Sequence, residues 1–222
     1  MKLDQIKYEF SKLSTSAISD ALDSLGLKDR VTGFSSRSSN DTLIGFAYTV
    51  KYDLLDEDKD FQNAFQNAGN YIDNVAEEEI ILIDNAARDW CTTWGGILTK
   101  FSILKKIGGA VIYGAVRDIE EIESSNLPVY SSHVFMASGK NRVKKVAEKC
   151  CVKIGNVLVS HGDLIFGDKN GILFIPKDKI EDVCKRAKHI EETEKKIIEA
   201  IELGMSLSEA RSKFNYARPW NP

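Results

Sequence analysis

The sequence contains few cysteines, and none of them has a spacing that indicates a metal or redox site. Only four cysteines occur among its 222 residues, and no C-x-x-C motif is present. This pattern argues against a disulfide framework, a structural zinc site and a dithiol redox centre. We interpret the cysteines as reduced structural thiols. Cys91 lies close to a pair of glycines, but no histidine nearby in the sequence could activate it as a nucleophile.

Long apolar runs and an excess of basic charge are also missing. No apolar stretch is long enough to span a bilayer, and the residues after Met1 have no signal-peptide core. The net charge is -3, which does not match the basic surface of a typical nucleic-acid-binding protein. We therefore expect a soluble cytoplasmic protein, with no membrane partner and no direct nucleic-acid binding.

Several catalytic motifs are absent as well. The sequence has no G-x-G-x-x-G, no P-loop and no G-x-S-x-G, so it lacks the usual signs of a dinucleotide site, a nucleotide phosphate site and a serine hydrolase. The histidines His133, His161 and His189 are isolated and have no metal-ligand spacing. We assign them structural or surface roles.

The pattern of apolar residues predicts an α/β protein with a mixed sheet. The length and a hydrophobic fraction of 43% fit one globular domain. Predicted helices come first, β/α alternation follows, then hairpin-rich strands and a long charged helix that Gly204 ends. The main predicted segments are helices at 2–13, 14–25, 61–76, 97–107, 119–125 and 178–203, and strands at 43–51, 79–84, 110–113, 151–154, 157–159, 164–166 and 172–175.

The same pattern suggests a domain division near the end of the chain. We assign residues 1–190 to the α/β domain, including its N-terminal helices. Residues 191–222 then form the end of the long helix and a tail. Residues 53–60 are rich in acids and are expected to form a charged surface loop.

A glycine pair opens one of the predicted helices, in the segment Trp94-Gly95-Gly96-Ile97-Leu98. Glycines allow the backbone to approach a ligand closely, and the free amides at a helix N-terminus bind anions. The alternative is a tight turn between a strand and a helix with no ligand. The glycine pair alone does not decide between the two.

An arginine and two acids follow the next apolar strand. Arg117 and Asp118 stand at the carboxyl end of this strand, which is where open α/β sheets bind ligands. Glu121 falls one helical turn after Asp118, so the two carboxylates share a face and could hold Mg²⁺ or Mn²⁺. The alternative is structural, with Asp118 capping the helix and the acids favoured by its dipole.

Other charged residues nearby are weaker candidates. Asp84, Arg88 and Asp89 could line the same pocket, although surface charge is the favoured interpretation. Lys100 and Lys105 lie on the helix after the glycine pair, but nothing in the sequence indicates the lowered pKa of a Schiff-base lysine.

Taken together, these motifs resemble the family that contains the regulator of ribonuclease activity A and the 4-hydroxy-4-methyl-2-oxoglutarate aldolases. The resemblance implies a swivelling β/β/α-type domain that assembles as a homotrimer or a hexamer, with active sites between subunits. The matching segments lie in family order at residues 16–23, 94–98, 114–118, 127–130, 162–168 and 170–173.

The resemblance also implies roles for individual residues. The backbone of Gly95, Gly96, Ile97 and Leu98 would bind the carboxylate of a pyruvate moiety. Arg117 would lie against the oxo group and the nascent enolate, and Asp118 would hold a divalent metal. Some family members carry an acid at the place of Gly96, whereas others have glycine there and an acid three residues after the aspartate. This chain fits the second pattern, with Glu121 as that acid.

The predicted function is therefore a lyase that depends on Mg²⁺ or Mn²⁺. It would cleave a carbon–carbon bond of 4-hydroxy-2-oxo acids, decarboxylate oxaloacetate, or both. The second of these family patterns, which contains Glu121, implies at least the decarboxylation of oxaloacetate. The alternatives are a lyase for a different oxo acid and a non-catalytic regulator that binds and inhibits a ribonuclease or a helicase. The extensions at both ends of the motif region favour the lyase.

Overall fold

The computed structural model describes residues 2–27, 31–55 and 69–220. The described residues therefore exclude 61–68 of the predicted helix at 61–76 and 56–60 of the predicted loop at 53–60. The described part of the former includes a 3₁₀ helix at Asn70–Asn74. The chain divides into two compact units, Arg30–Lys177 on one side and Met1–Asp29 with Asp178–Pro222 on the other.

The described residues form six α-helices and eleven strands. The helices are α1 (Leu3–Phe10), α2 (Thr15–Ser24), α3 (Gly96–Leu104), α4 (Ile119–Glu123), α5 (Ile180–Glu202) and α6 (Leu207–Lys213). The strands are β1 (Ser35–Ser36), β2 (Leu43–Leu54), β3 (Ile80–Asp84), β4 (Thr92–Trp94), β5 (Gly109–Val116), β6 (Val129–Val134), β7 (Val143–Glu148), β8 (Val152–Ile154), β9 (Val157–Val159), β10 (Leu164–Asp168) and β11 (Gly171–Ile175).

The larger unit is built on a mixed sheet with the order β1-β6-β5-β3-β2-β10-β11. Its centre is parallel, through the pairs β2–β3, β3–β5 and β5–β6, and its margins are antiparallel. Strand β4 adds to β5, β7 adds to β2, and β8 and β9 form a separate hairpin. The parallel centre brings the carboxyl ends of β3 and β5 to one edge, where ligand sites of such sheets lie.

The central strand β3 explains how this sheet is buried on both faces. Its side chains alternate, so Ile81 and Ile83 belong to one core cluster while Ile80 and Leu82 belong to another. The first cluster includes residues on α3 and α4, and the second includes the hairpin β8–β9 and strands β10–β11. A continuous apolar run is what a strand covered on both faces requires.

The terminal unit is helical, and α2 packs against α5. The hydroxyl of Ser14 caps α2 by accepting from the Ala17 N–H at 3.1 Å, and it donates to a carboxylate oxygen of Glu191 at 2.8 Å. Helix α6 begins with a capping box between Ser206 and Glu209. The boundary expected between residues 190 and 191 falls inside α5, and its status as a domain boundary stays a prediction.

The expected fold class, a mixed α/β architecture with helices at both ends, is confirmed. Sequence patterning located most of the strands to within a few residues, but it did not identify β4 or the separate strand β7. Both depend on pairing with strands that are distant in the sequence, so their local pattern is weak. Among the described helices, none is both long and apolar enough to cross a bilayer.

Candidate active site

The glycine pair forms the turn between β4 and α3, and both glycines leave room for carboxylates. Gly95 is extended, with φ of -173°, so its backbone does not require glycine. A Cβ at Gly95 would lie 2.6 Å from Asp118 Oδ2, and a Cβ at Gly96 would overlap the carboxylate of Glu121. The absence of side chains here is therefore explained by the acids that pack against the turn.

A short chain of hydrogen bonds holds this turn in place. The indole N–H of the buried Trp94 donates to Thr99 Oγ1 at 2.9 Å, and that hydroxyl donates to the Gly95 carbonyl at 3.1 Å. The backbone N–H of Thr99 also donates to the Gly95 carbonyl, at 3.1 Å. These bonds fix the first turn of α3 against β4.

The amides of this first turn are only partly used. The Gly96 N–H donates to Asp118 Oδ2 at 2.8 Å. Within the described residues, the N–H groups of Ile97 and Leu98 have no hydrogen-bond acceptor. Such free amides, together with the helix dipole, favour an anion at this position.

Arg117 and Asp118 follow β5 at the same edge of the sheet. The Arg117 N–H donates to the Trp94 carbonyl at 3.1 Å, which ties the end of β5 to β4. Arg117 Nε lies 3.6 Å from Asp118 Oδ2, and both side chains are more than one-third exposed. The pair is therefore accessible from the cavity beside it.

Asp118 has an unusual backbone that aims its carboxylate at the glycine turn. Its φ of 58° and ψ of 48° lie in the left-handed region, which is uncommon for a residue with a side chain. Asp118 stands at the N-cap of α4, but its side chain makes no capping hydrogen bond to that helix. The Asp118 side chain therefore does not cap α4, because its carboxylate accepts from Gly96 instead.

Glu121 brings a second carboxylate to the same turn. Its carboxylate occupies the space that a side chain at position 96 would fill, with its Cδ only 2.8 Å from where that Cβ would be. The structure thus brings together the turn at 95–98, Arg117, Asp118 and Glu121, as the sequence analysis expected. In the described ranges, no cluster of three or more His, Cys, Asp or Glu side chains is arranged as a metal site, at this turn or elsewhere.

A cavity of about 200 Å³ opens beside the turn. Five polar residues that line it were not identified from the sequence. Its lining consists of Tyr52, Thr92, Thr93, Trp94, Gly95, Ile97, Leu98, Arg117, Asp118, Ser138, Gly139, Lys140 and Val143. The five are Tyr52, Thr92, Thr93, Ser138 and Lys140. They come from three separate segments, so only the pairing of β4 and β7 into the sheet reveals them.

The weaker candidates have other roles. Asp84 is buried and its Oδ1 accepts from the Ala86 N–H at 2.9 Å, while Arg88 bonds to Asp53 Oδ1 at 3.1 Å. Neither Asp84, Arg88 nor Asp89 lines the cavity. The favoured interpretation of surface charge fits the exposed Asp89, but it is wrong for Asp84, which is buried at the end of β3.

The covalent alternatives find no support in the structure. Burial raises the pKa of the Cys91 thiol, which disfavours the thiolate that a nucleophile needs. The ammonium group of Lys105 donates to the backbone carbonyls of Ile72 and Val75, at 3.2 and 2.9 Å. Its role is to hold the 3₁₀ helix segment, and it does not line the cavity.

Known proteins agree with this architecture. A family model described as RraA-like, Aldolase/RraA, matches residues 15–174. The chain belongs to this RraA-like family. The crystal structure of an uncharacterized protein from Pseudomonas syringae pv. tomato is similar to it with a TM-score of 0.82 and 35% identity, covering 94% of this chain and 97% of that one.

Two curated relatives are similar to this chain at different levels of identity. Protein DlpA of Legionella pneumophila is 42% identical over 207 residues, which is 93% of this chain but only 33% of DlpA. The chain therefore spans about a third of that relative. A provisionally named 4-hydroxy-4-methyl-2-oxoglutarate aldolase of Halalkalibacterium halodurans is 29% identical over 183 residues, covering 81% of this chain and 80% of that protein.

Proposed function

We propose that this protein is a divalent-metal-dependent carbon–carbon lyase that acts on 2-oxo acids. Its substrates would be 4-hydroxy-2-oxo acids such as 4-hydroxy-4-methyl-2-oxoglutarate, oxaloacetate, or both. The observation that carries the proposal is the convergence of free helix amides, one arginine and two carboxylates at a single turn beside a cavity. The family membership and the name of the Halalkalibacterium relative support it.

The anionic substrate would be held by the free helix amides and by the cationic side chains of the cavity wall. The free amides of Ile97 and Leu98 would bind the carboxylate of the 2-oxo acid. Arg117 would face the oxo oxygen and stabilise the negative charge that develops there when the carbon–carbon bond breaks. Lys140 adds a second cation to the cavity wall, which suits substrates with two carboxylates.

The two carboxylates fit a divalent cation of the Mg²⁺ or Mn²⁺ type. Such ions are commonly held by one or two carboxylates, with water and substrate as the remaining ligands. Asp118 has one oxygen on the Gly96 N–H, which orients it and leaves the other oxygen available. Asp118 and Glu121 would hold the ion, which when bound supplies Lewis-acid stabilisation of the oxo group.

The assembly and location proposed for this protein follow from the family resemblance. We propose a homotrimer or a hexamer with the site between subunits. Ile97 at the rim of the cavity is 84% exposed and Met136 is 76% exposed, so large apolar side chains are available for a contact near the site. A cytoplasmic location fits the reduced cysteines.

The direct test is the formation of pyruvate from oxaloacetate and from 4-hydroxy-4-methyl-2-oxoglutarate. We expect the wild-type protein to release pyruvate from at least one of them with Mg²⁺ or Mn²⁺. Chelation with EDTA should abolish this release, and adding the metal back should restore it. If the folded, metal-supplied protein turns over neither substrate, the lyase proposal is overturned and the non-catalytic regulator becomes the better hypothesis.

Arg117→Ala tests the role of the arginine. Removing a group that stabilises developing charge typically lowers kcat by about 10²–10³-fold. We expect a loss of that size in Arg117→Ala, measured by initial rates of pyruvate release. Arg211→Ala, on helix α6 of the terminal unit, is the matched control and should retain the wild-type rate. Equal rates for the two variants would remove Arg117 from the mechanism.

A further inference from the structure

Thr93 lines the cavity of the candidate site and has a buried hydroxyl without a hydrogen-bond partner. The residue is 8% exposed, and in the described part of the chain its Oγ1 has no hydrogen-bond partner. It also lines the cavity beside Arg117. A buried hydroxyl without a partner lowers stability, and one that belongs to a cavity wall can be satisfied by a ligand bound in that cavity.

The neighbours of Thr93 on β4 are satisfied internally. The Thr92 N–H donates to the Ala137 carbonyl at 2.9 Å, and the Thr92 carbonyl accepts from the Gly139 N–H at 2.8 Å. The Trp94 indole N–H is used by Thr99. The strand is therefore well anchored on both sides of Thr93, a residue of the cavity wall whose Oγ1 is left unpaired.

A second buried hydroxyl shows that the cavity is what distinguishes Thr93. Ser102 on α3 is fully buried, and its Oγ also has no partner among the described residues. Ser102 does not line the cavity. Ser102 is therefore a matched control for the loss of a buried, unpaired hydroxyl.

The chemistry of Thr93 indicates which part of a substrate it would contact. This inference rests on the proposed function. The carboxylate and oxo groups of a 2-oxo acid are matched by the free amides, Arg117 and the acid-bound cation. A neutral hydroxyl both donates and accepts, so it is matched to another neutral hydroxyl. In a 4-hydroxy-2-oxo acid, that remaining group is the hydroxyl at C4.

We propose that Thr93 Oγ1 hydrogen-bonds the C4 hydroxyl of 4-hydroxy-2-oxo acids and selects them for aldol cleavage. In that cleavage the C3–C4 bond breaks and its electron pair passes to C3 as the enolate. The C4 hydroxyl loses its proton and becomes a carbonyl, and a proton added at C3 completes pyruvate. The contact would orient the bond that breaks. Oxaloacetate has no C4 hydroxyl, so its decarboxylation does not use Thr93.

The test compares Thr93→Val with wild type on both substrates, since valine keeps the shape and removes the hydroxyl. We expect kcat/KM for 4-hydroxy-4-methyl-2-oxoglutarate to fall about 10–100-fold, the range for an unpaired hydrogen-bonding partner. Oxaloacetate decarboxylation should stay within about twofold, and Thr93→Ser should recover most of the aldol cleavage. Ser102→Ala should leave both reactions unchanged.

Thermal unfolding gives a readout that is independent of turnover. Because Thr93→Val removes an unpaired hydroxyl, we expect its melting temperature to equal that of wild type or to rise by about 2–4 °C. An equal loss of both reactions, no loss in either, or a lowered melting temperature would overturn the proposal for Thr93. A wild-type protein inactive on both substrates would instead overturn the proposed function, and the proposal for Thr93 with it.

Discussion

Gly96 is the residue that connects the sequence pattern to the geometry of the site. Its missing side chain leaves the space that the Glu121 carboxylate occupies. The second acid therefore reaches the turn from α4 rather than from position 96 itself. The sequence shows a glycine at 96 and a glutamate at 121. Only the structure shows that a side chain at position 96 would occupy the same space as the Glu121 carboxylate.

Gly96→Ala tests this competition at the residue scale. The overlapping atoms belong to the end of a flexible side chain, so we expect Glu121 to move away at little cost. Alanine also favours a helix over glycine by about 1 kcal/mol, so thermal stability should be unchanged or slightly higher. Activity and Mn²⁺ affinity should nonetheless fall by about 10-fold, the size of effect typical when the support of a metal site is disturbed.

The double variant provides the control for this prediction. Glu121→Ala alone should lower Mn²⁺ affinity as Gly96→Ala does, and the combination should be no worse than either, because both remove the same carboxylate from the turn. Affinity measured by titration calorimetry decides the question. If the loss of Mn²⁺ affinity in the double variant equalled the sum of the two single losses, Glu121 would not act in the space beside Gly96.

The residues that could be predicted from the sequence are those whose relation is local. Arg117, Asp118 and Glu121 lie within two turns of one another, and the glycine pair opens a recognisable helix. Thr93 and Lys140 could not be predicted because strand pairing brings their segments together. The left-handed backbone of Asp118 could not be predicted from the sequence either, since an aspartate before a helix resembles an ordinary helix cap.

At the scale of elements, the contact between β2 and β7 is the one that sequence patterning missed. The phenol of the buried Tyr48 donates to Glu148 Oε2 at 2.6 Å, and Lys145 Nζ lies 3.1 Å from Glu148 Oε1. The hydrogen bond from Tyr48, helped by Lys145, lowers the pKa of Glu148 below its ordinary value. The hydrogen bond from Tyr48 on β2 to Glu148 on β7 therefore joins the two strands, and Lys145, also on β7, favours the charged form of Glu148.

Glu148→Gln tests this contact through the dependence of stability on pH. A carboxyl whose pKa is lowered by folding stabilises the protein above its ordinary pKa near 4.5 and loses that effect as the pH falls through the lowered value. We expect Glu148→Gln to be about 1 kcal/mol less stable than wild type at pH 7. The difference should shrink on acidification below pH 4.5.

Urea unfolding at several pH values measures this difference. Tyr48→Phe should show a similar loss at pH 7, because it removes the other half of the hydrogen bond. A stability gap between wild type and Glu148→Gln that stays constant from pH 7 to pH 3 would contradict the account.

At the scale of the whole molecule, the order of elements in the sequence predicted the fold class, but it did not predict the pairing of β2 with β10. The alternation from 79 to 130 predicts parallel strands with helices between them. The pairing of β2 with β10 joins residues far apart in the sequence, and no local pattern specifies it. That pairing makes β2 a central strand, with β3 and the parallel centre on its other side.

The parallel centre also explains why chemistry gathers at one edge. Arg117 follows the end of β5 and Gly95 follows the end of β4, and the two strands run parallel, so both carboxyl ends meet there. The free amides of α3 and the acids of α4 open onto the same edge. This geometry predicts one composite site in which a divalent cation and an anionic substrate bind together.

The most direct test of this central claim is a calorimetric titration of the intact protein with oxalate, a planar dianion of the shape and charge of a pyruvate enolate. The titration is run with Mn²⁺ and again after chelation. The account predicts saturable binding with Mn²⁺, weakened at least about 10-fold by chelation, because the cation and Arg117 share the anion. Oxalate binding of equal affinity with and without Mn²⁺, or no binding with it, would contradict the composite site.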